Sequence, residues 1–108
     1  MSSSAVADLG NHSIGEVLRS ERPSLVYFWA PWCTRCRAFT PQFEQFADDH
    51  GDKVQLRRVN ASDEDALVSS YRVTGLPTLL LFDGGTVVQT ITDPSSKEDL
   101  EDRLAPYL

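Results

Sequence analysis

Apolar positions change their period several times along this chain, and each change marks an element. Val6 to Leu9 reads as a short strand. Ile14, Val17 and Leu18 recur at i, i+3 and i+4, which predicts a helix over 13–19, closed off by Pro23. Leu25-Val26-Tyr27-Phe28-Trp29 hardly alternates, so it predicts a strand buried on both faces. The helical period then returns. Phe39, Phe43 and Phe46 form one stripe of a helix that runs from Cys33 to about Asp49, with Gly51 as its stop. Pro41 falls inside that stretch, but the stripe continues across it, which predicts a kink instead of a break.

Strict alternation follows from Val54 to Val59. Val54, Leu56 and Arg58 share one face, and Gln55, Arg57 and Val59 the other. Ser62 and Asp65 have the spacing of a capping box, and Asp63 and Glu64 suit the positive end of a helix running to about Ser70. Thr78 to Phe82 is an apolar strand, Asp83-Gly84-Gly85 a hairpin turn, and Thr86 to Ile91 the returning strand. Ser95 or Ser96 caps a last helix with Leu100, Leu104 and Tyr107 on one side. Strands alternate with helices early, then a hairpin and a helix close the chain. That order predicts an α/β sandwich around a mixed sheet. Residues 1–5 read as disordered, and 1–108 as a single domain.

Composition narrows function more than fold. A hydrophobic fraction of 41% supports a real core. The net charge of −6, without any Lys/Arg cluster, argues against a nucleic-acid partner. No apolar run approaches membrane-spanning length. The first eight residues show neither a charged n-region nor an apolar h-region, so no signal peptide is visible. The cytoplasm is therefore the expected compartment, although a removed leader would leave the same sequence.

The candidate chemistry is Trp32-Cys33-Thr34-Arg35-Cys36, which holds the only two cysteines. The pair sits where the buried strand gives way to the long helix. A helix N-terminus carries unpaired N–H groups and a partial positive charge, which favour a thiolate, the reactive form. A second sulfur one turn on is within reach of a disulfide, so the arrangement reads as a dithiol redox couple. As a structural staple the pair would do little, because so short a loop hardly constrains the unfolded chain. Zinc would want four ligands, and His12 and His50, the only histidines, lack ligand spacing.

With those residues in view the chain resembles the thioredoxin family over nearly its whole length. The resemblance rests on Phe28-Trp29-Ala30-Pro31-Trp32-Cys33-x-x-Cys36, on Pro41, on Gly75-Leu76-Pro77-Thr78, and on Phe82-x-Gly84-Gly85, in this order. It implies a thioredoxin-like fold, a mixed sheet with helices on both faces. It implies that Cys33 is the attacking thiolate, Cys36 the buried resolving thiol, and Leu76–Pro77 a cis peptide bond beside them. Trp32, Thr74, Gly75, Leu76 and Asp93 would form the substrate groove. The implied activity is reduction of protein disulfides, without metal or organic cofactor, by a monomer that takes electrons from a separate reductase.

Three positions depart from the family's usual pattern. Thr34-Arg35 stands where Gly-Pro is usual, and its cation beside the reactive sulfur would favour the thiolate and make the couple more oxidising, unless solvent screens it. Tyr27 stands where a buried Asp is usual. A phenol with a pKa of about 10 cannot act as a carboxylate base at neutral pH. Arg58 takes the place of that carboxylate's usual lysine partner, and either hydrogen-bonds the Tyr27 hydroxyl or snorkels past it to water. Asp93 stands where a small Gly commonly faces the cis-proline. It would narrow the range of substrates, or else serve only the turn Asp93-Pro94-Ser95. These departures keep two other readings open, a thioredoxin-fold assembly factor with slow or vestigial redox activity, and a disulfide donor or isomerase.

Overall fold

The computed structural model describes residues 6–108. The disorder expected at residues 1–5 lies outside the described residues. Strand β1 (Val6–Asp8) leads to a short helix α1 (Gly15–Leu18), and β2 (Ser24–Trp29) leads to the long helix α2 (Thr34–His50). Then come β3 (Gln55–Asn60), α3 (Asp65–Ser70), the hairpin of β4 (Thr78–Asp83) and β5 (Thr86–Thr92), and α4 (Lys97–Arg103), which ends in a 3-10 turn over Ala105–Tyr107. Gly84 and Gly85 both hold positive φ, the geometry of a tight two-residue hairpin turn. A Cβ on Gly85 would also come within 2.9 Å of the Leu18 carbonyl oxygen.

The sheet is mixed, in the order β1-β3-β2-β4-β5. β3 is parallel to both β1 and β2, and β4 is antiparallel to both β2 and β5. β2 is thus the middle strand, and its side chains feed two cores. Leu25 and Tyr27 pack with Leu56, Leu79, Leu81 and Ile91 against Phe39, Phe43 and Phe46 of α2 and Leu100 of α4. Val26 and Phe28 pack on the opposite face with Val59, Leu80 and Phe82 against Val17 of α1 and Leu67 of α3. The unalternating strand was legible for this reason, since apolar residues are wanted on both sides.

Local details differ from the expectations. α1 is one turn long, and Leu18 is exposed while only Val17 of its stripe is fully buried. As expected, however, α2 continues through Pro41 without a break, since its phenylalanine stripe is anchored on both sides of the missing N–H. Ser62 does not cap α3; Glu64 holds that position and no side chain caps it. Ser96, not Ser95, caps α4 by accepting from the Asp99 N–H.

Strand directions gather four chain segments at one edge of the sheet. Register pairs Phe28 with Thr78 and Thr78 with Thr92, so the end of β2, the start of β4 and the end of β5 are neighbours. Trp29 pairs with Asn60, which adds the end of β3. Both cysteines, Leu76–Pro77, Asp93 and Ser62 all lie just beyond those points.

Candidate active site

Cys33 is the N-cap of α2, in extended geometry, with its Sγ accepting the Cys36 N–H at 3.2 Å. Both thiols are free. Cys33 retains 8% of its surface and Cys36 none. The outer sulfur thus lies at the positive end of a long helix, and the inner one is enclosed by Ala30, Trp29 and Leu76. Burial, followed by the hydrogen bond with Cys33, pushes the Cys36 thiol up to about 12.

Tyr27 lies beneath the pair. Its hydroxyl donates to the Cys36 carbonyl oxygen at 2.8 Å and contacts Thr40 Oγ1 at 3.0 Å, while Thr40 donates to the same carbonyl at 2.8 Å. Burial is the main force raising the phenol well above its ordinary 10.0, so it stays neutral. Arg58 does not reach it. The Arg58 Nε donates to Asp8 Oδ1 at 2.8 Å, and its guanidinium lies 6.0 Å from the centre of the Trp29 ring. Of the two courses expected for Arg58, the one toward Tyr27 is corrected: the phenol spends its proton on the helix backbone, and the arginine escapes past Trp29 to a surface carboxylate.

Trp32, 70% exposed, is held by a hydrogen bond from its indole nitrogen to Ser62 Oγ at 2.9 Å. With Cys33, Thr74, Gly75 and Leu76 it lines a groove of about 340 Å³, mostly apolar, to which Ala61, Val68 and Val73 also contribute. The Leu76–Pro77 bond is cis and Pro77 is buried. Asp93 is absent from this groove. It lies in a second depression with Arg35, Ala38, Phe39 and Gln42, on the other flank of the helix start. There the Arg35 Nη1 donates to Asp93 Oδ2 at 2.9 Å, so the guanidinium is turned to a carboxylate across the site. Thr34 is exposed.

Sequence reasoning missed three contributors. Thr40 is one turn beyond Cys36 on the same helix face, a spacing that could have revealed it. Ser62 carried a capping signature that hid its role toward Trp32. Asp8 gave no signal, because its pairing with Arg58 depends on β1 lying beside β3. His50 was set aside on spacing, yet it meets Asp49 and Glu101 at one point, with ligand atoms within 4.8 Å of one another. The Lys97 ammonium hydrogen-bonds Asp49 and lies 3.9 Å from Glu101, so that cluster already holds a cation.

A mixed sheet that carries two free thiols at the end of its middle strand defines a class, the small thiol–disulfide oxidoreductases. Within it, a family model described as thioredoxin matches residues 7–106, and the chain belongs to that family. It is 36% identical over 104 residues to a thioredoxin of Alicyclobacillus acidocaldarius subsp. acidocaldarius, covering 96% of this chain and 99% of that one. It is 37% identical to thioredoxin 1 of Synechococcus elongatus, covering 86% and 87%, and 39% identical to a thioredoxin of Streptomyces clavuligerus, covering 79% and 78%. The activity that goes with this membership is protein-disulfide reduction by dithiol–disulfide exchange. No helix among the described residues is long and apolar enough to cross a membrane.

Proposed function

We propose that Cys33 is the nucleophile and Cys36 the resolving thiol of a general protein-disulfide reductase. The Cys33 thiolate attacks one sulfur of a substrate disulfide, that S–S bond breaks, and one substrate thiolate leaves. The Cys36 sulfur then attacks Cys33, the mixed disulfide breaks, and the second substrate thiol leaves with its electrons. The protein is left with a Cys33–Cys36 disulfide, and a separate reductase must return two electrons. Trp32, Thr74, Gly75, Leu76 and Pro77 seat the substrate chain against Cys33. The working unit is a single-domain monomer in the cytoplasm.

The observation that carries this reading is the asymmetry of the two sulfurs. Cys33 opens onto the apolar groove at the helix cap, and Cys36 is enclosed one turn inside. Alkylation of the reduced protein should therefore label Cys33 first. Cys36→Ser should accumulate mixed disulfides with substrate, and Cys33→Ser should abolish reduction. Faster labelling of Cys36 would reverse the assignment.

A further inference from the structure

Two of the departures from the family pattern, Arg35 and Asp93, are 58 positions apart in sequence and joined in space by a 2.9 Å ion pair. The side chains are 72% and 55% exposed, so the pair adds little to stability. Its consequence is where it holds the guanidinium. Asp93 is the fixed partner. Its N–H donates to the Pro77 carbonyl at 3.0 Å, its φ is +48°, and buried Pro94 follows it. Asp tolerates that left-handed backbone better than most residues with a side chain. Arg35 is the mobile partner, a long exposed side chain in the first turn of α2, between the two cysteines. Released from Asp93, its guanidinium is free to turn toward the Cys33 thiolate, two positions back along the chain.

We propose that Asp93 is a positioning residue that sets the redox poise of the Cys33–Cys36 couple by drawing Arg35 away from the Cys33 sulfur. The couple equilibrates with glutathione in a balanced exchange. Reduced protein and one oxidised glutathione give disulfide protein and two reduced glutathiones, with two electrons passing. An unmasked cation beside Cys33 stabilises the reduced side.

The test is a double-mutant cycle on that equilibrium constant, using Arg35→Gln, Asp93→Asn and the double variant. Asparagine keeps the tolerance of positive φ, so folding is preserved. Asp93→Asn should lower the constant for forming the disulfide by about two- to fivefold, the range of an exposed ion pair. On the Arg35→Gln background the same substitution should change it much less. An equal change on both backgrounds would show that Asp93 acts directly on the sulfur, and no change on either would show no influence; both overturn the proposal. The inference rests on the Cys33–Cys36 couple proposed above. Failure to form that disulfide at any glutathione ratio in the unsubstituted protein would overturn the couple, and this inference with it.

Discussion

At the level of single residues, the proton of Cys36 is the unusual element. Burial and Cys33 hold that thiol up to about 12, and the group beneath it, Tyr27, is pushed higher still. A phenol in that state can hold a backbone carbonyl but cannot take a proton at neutral pH. In the mixed disulfide the Cys33 sulfur is bonded to substrate and its own contribution is lost, but burial still holds Cys36 up. Resolution should then follow the Cys36 thiolate fraction and rise with pH between roughly pH 6 and 9, by up to about tenfold per unit. Tyr27→Phe separates structure from chemistry. It removes a hydroxyl from the Cys36 carbonyl, which still accepts from Thr40, and keeps the ring against Phe39 and Phe43 at 5.8 and 4.8 Å. It should cost about 1 kcal/mol of stability and leave the slope of the pH profile unchanged. Stopped-flow fluorescence of Trp29 and Trp32 follows the step. A slope that changes in Tyr27→Phe would mean that the phenol does move the proton.

Among the elements, those with an apolar period were legible and those defined by a single polar contact were not. The α2 stripe and the apolar β2 state their partners in their own spacing, because burial is bulk and periodic. Ser62 and Arg58 do not, since a hydroxyl or a guanidinium takes whichever partner the fold brings near. The Arg35–Asp93 pair was invisible for the same reason: each departure could be seen, but their meeting depends on β5 running antiparallel to β4. Helix α4 shows a local signal that did hold, and it can be tested. Ser96 caps it, and Asp99 in turn accepts from the Ser95 N–H at 3.0 Å and from Arg103 Nε at 2.9 Å. The Ser95 N–H, then Arg103, hold the Asp99 carboxyl below its ordinary 3.8. A depressed carboxylate contributes stability above its unfolded pKa and loses it as pH falls through the folded one. Asp99→Asn should therefore lower the urea midpoint at neutral pH, with a deficit that shrinks as the pH drops below about 3.8. Ser96→Ala should cost about 1 kcal/mol, and its lost cap bond does not titrate, so a sizeable deficit should survive in acid. Equal shrinkage in both variants would place the titrating group elsewhere.

Taken whole, the molecule presents an apolar, exposed groove on a body of net charge −6. Contacts in the groove decide what is held, whereas the body's field acts earlier, on the approach of a partner. Near Cys33, Arg35 is paired with Asp93, while the Arg37 guanidinium rests on the Pro31 carbonyl oxygen at 2.8 Å. Arg37 gives the local site a mild preference for an acidic disulfide, whereas the field of the acidic body should act at long range with the opposite sign. That separates the two contributions by salt. Raising ionic strength from about 0.01 M to about 0.15 M shortens the screening length from roughly 30 Å to 8 Å, which removes the body's field and leaves groove contacts in place. For peptides of matched sequence around the cystine, kcat/KM should fall with salt for a basic peptide, rise for an acidic one and stay level for a neutral one. The change should appear in KM-limited rates and not in the turnover of bound substrate. Asp93→Asn adds a check on the same footing. It removes one negative charge from beside the site, so it should raise the rate with the acidic peptide relative to the basic one even at the higher salt, where the body's field is already screened. Identical salt slopes for acidic and basic peptides would mean that the overall charge does not steer encounter.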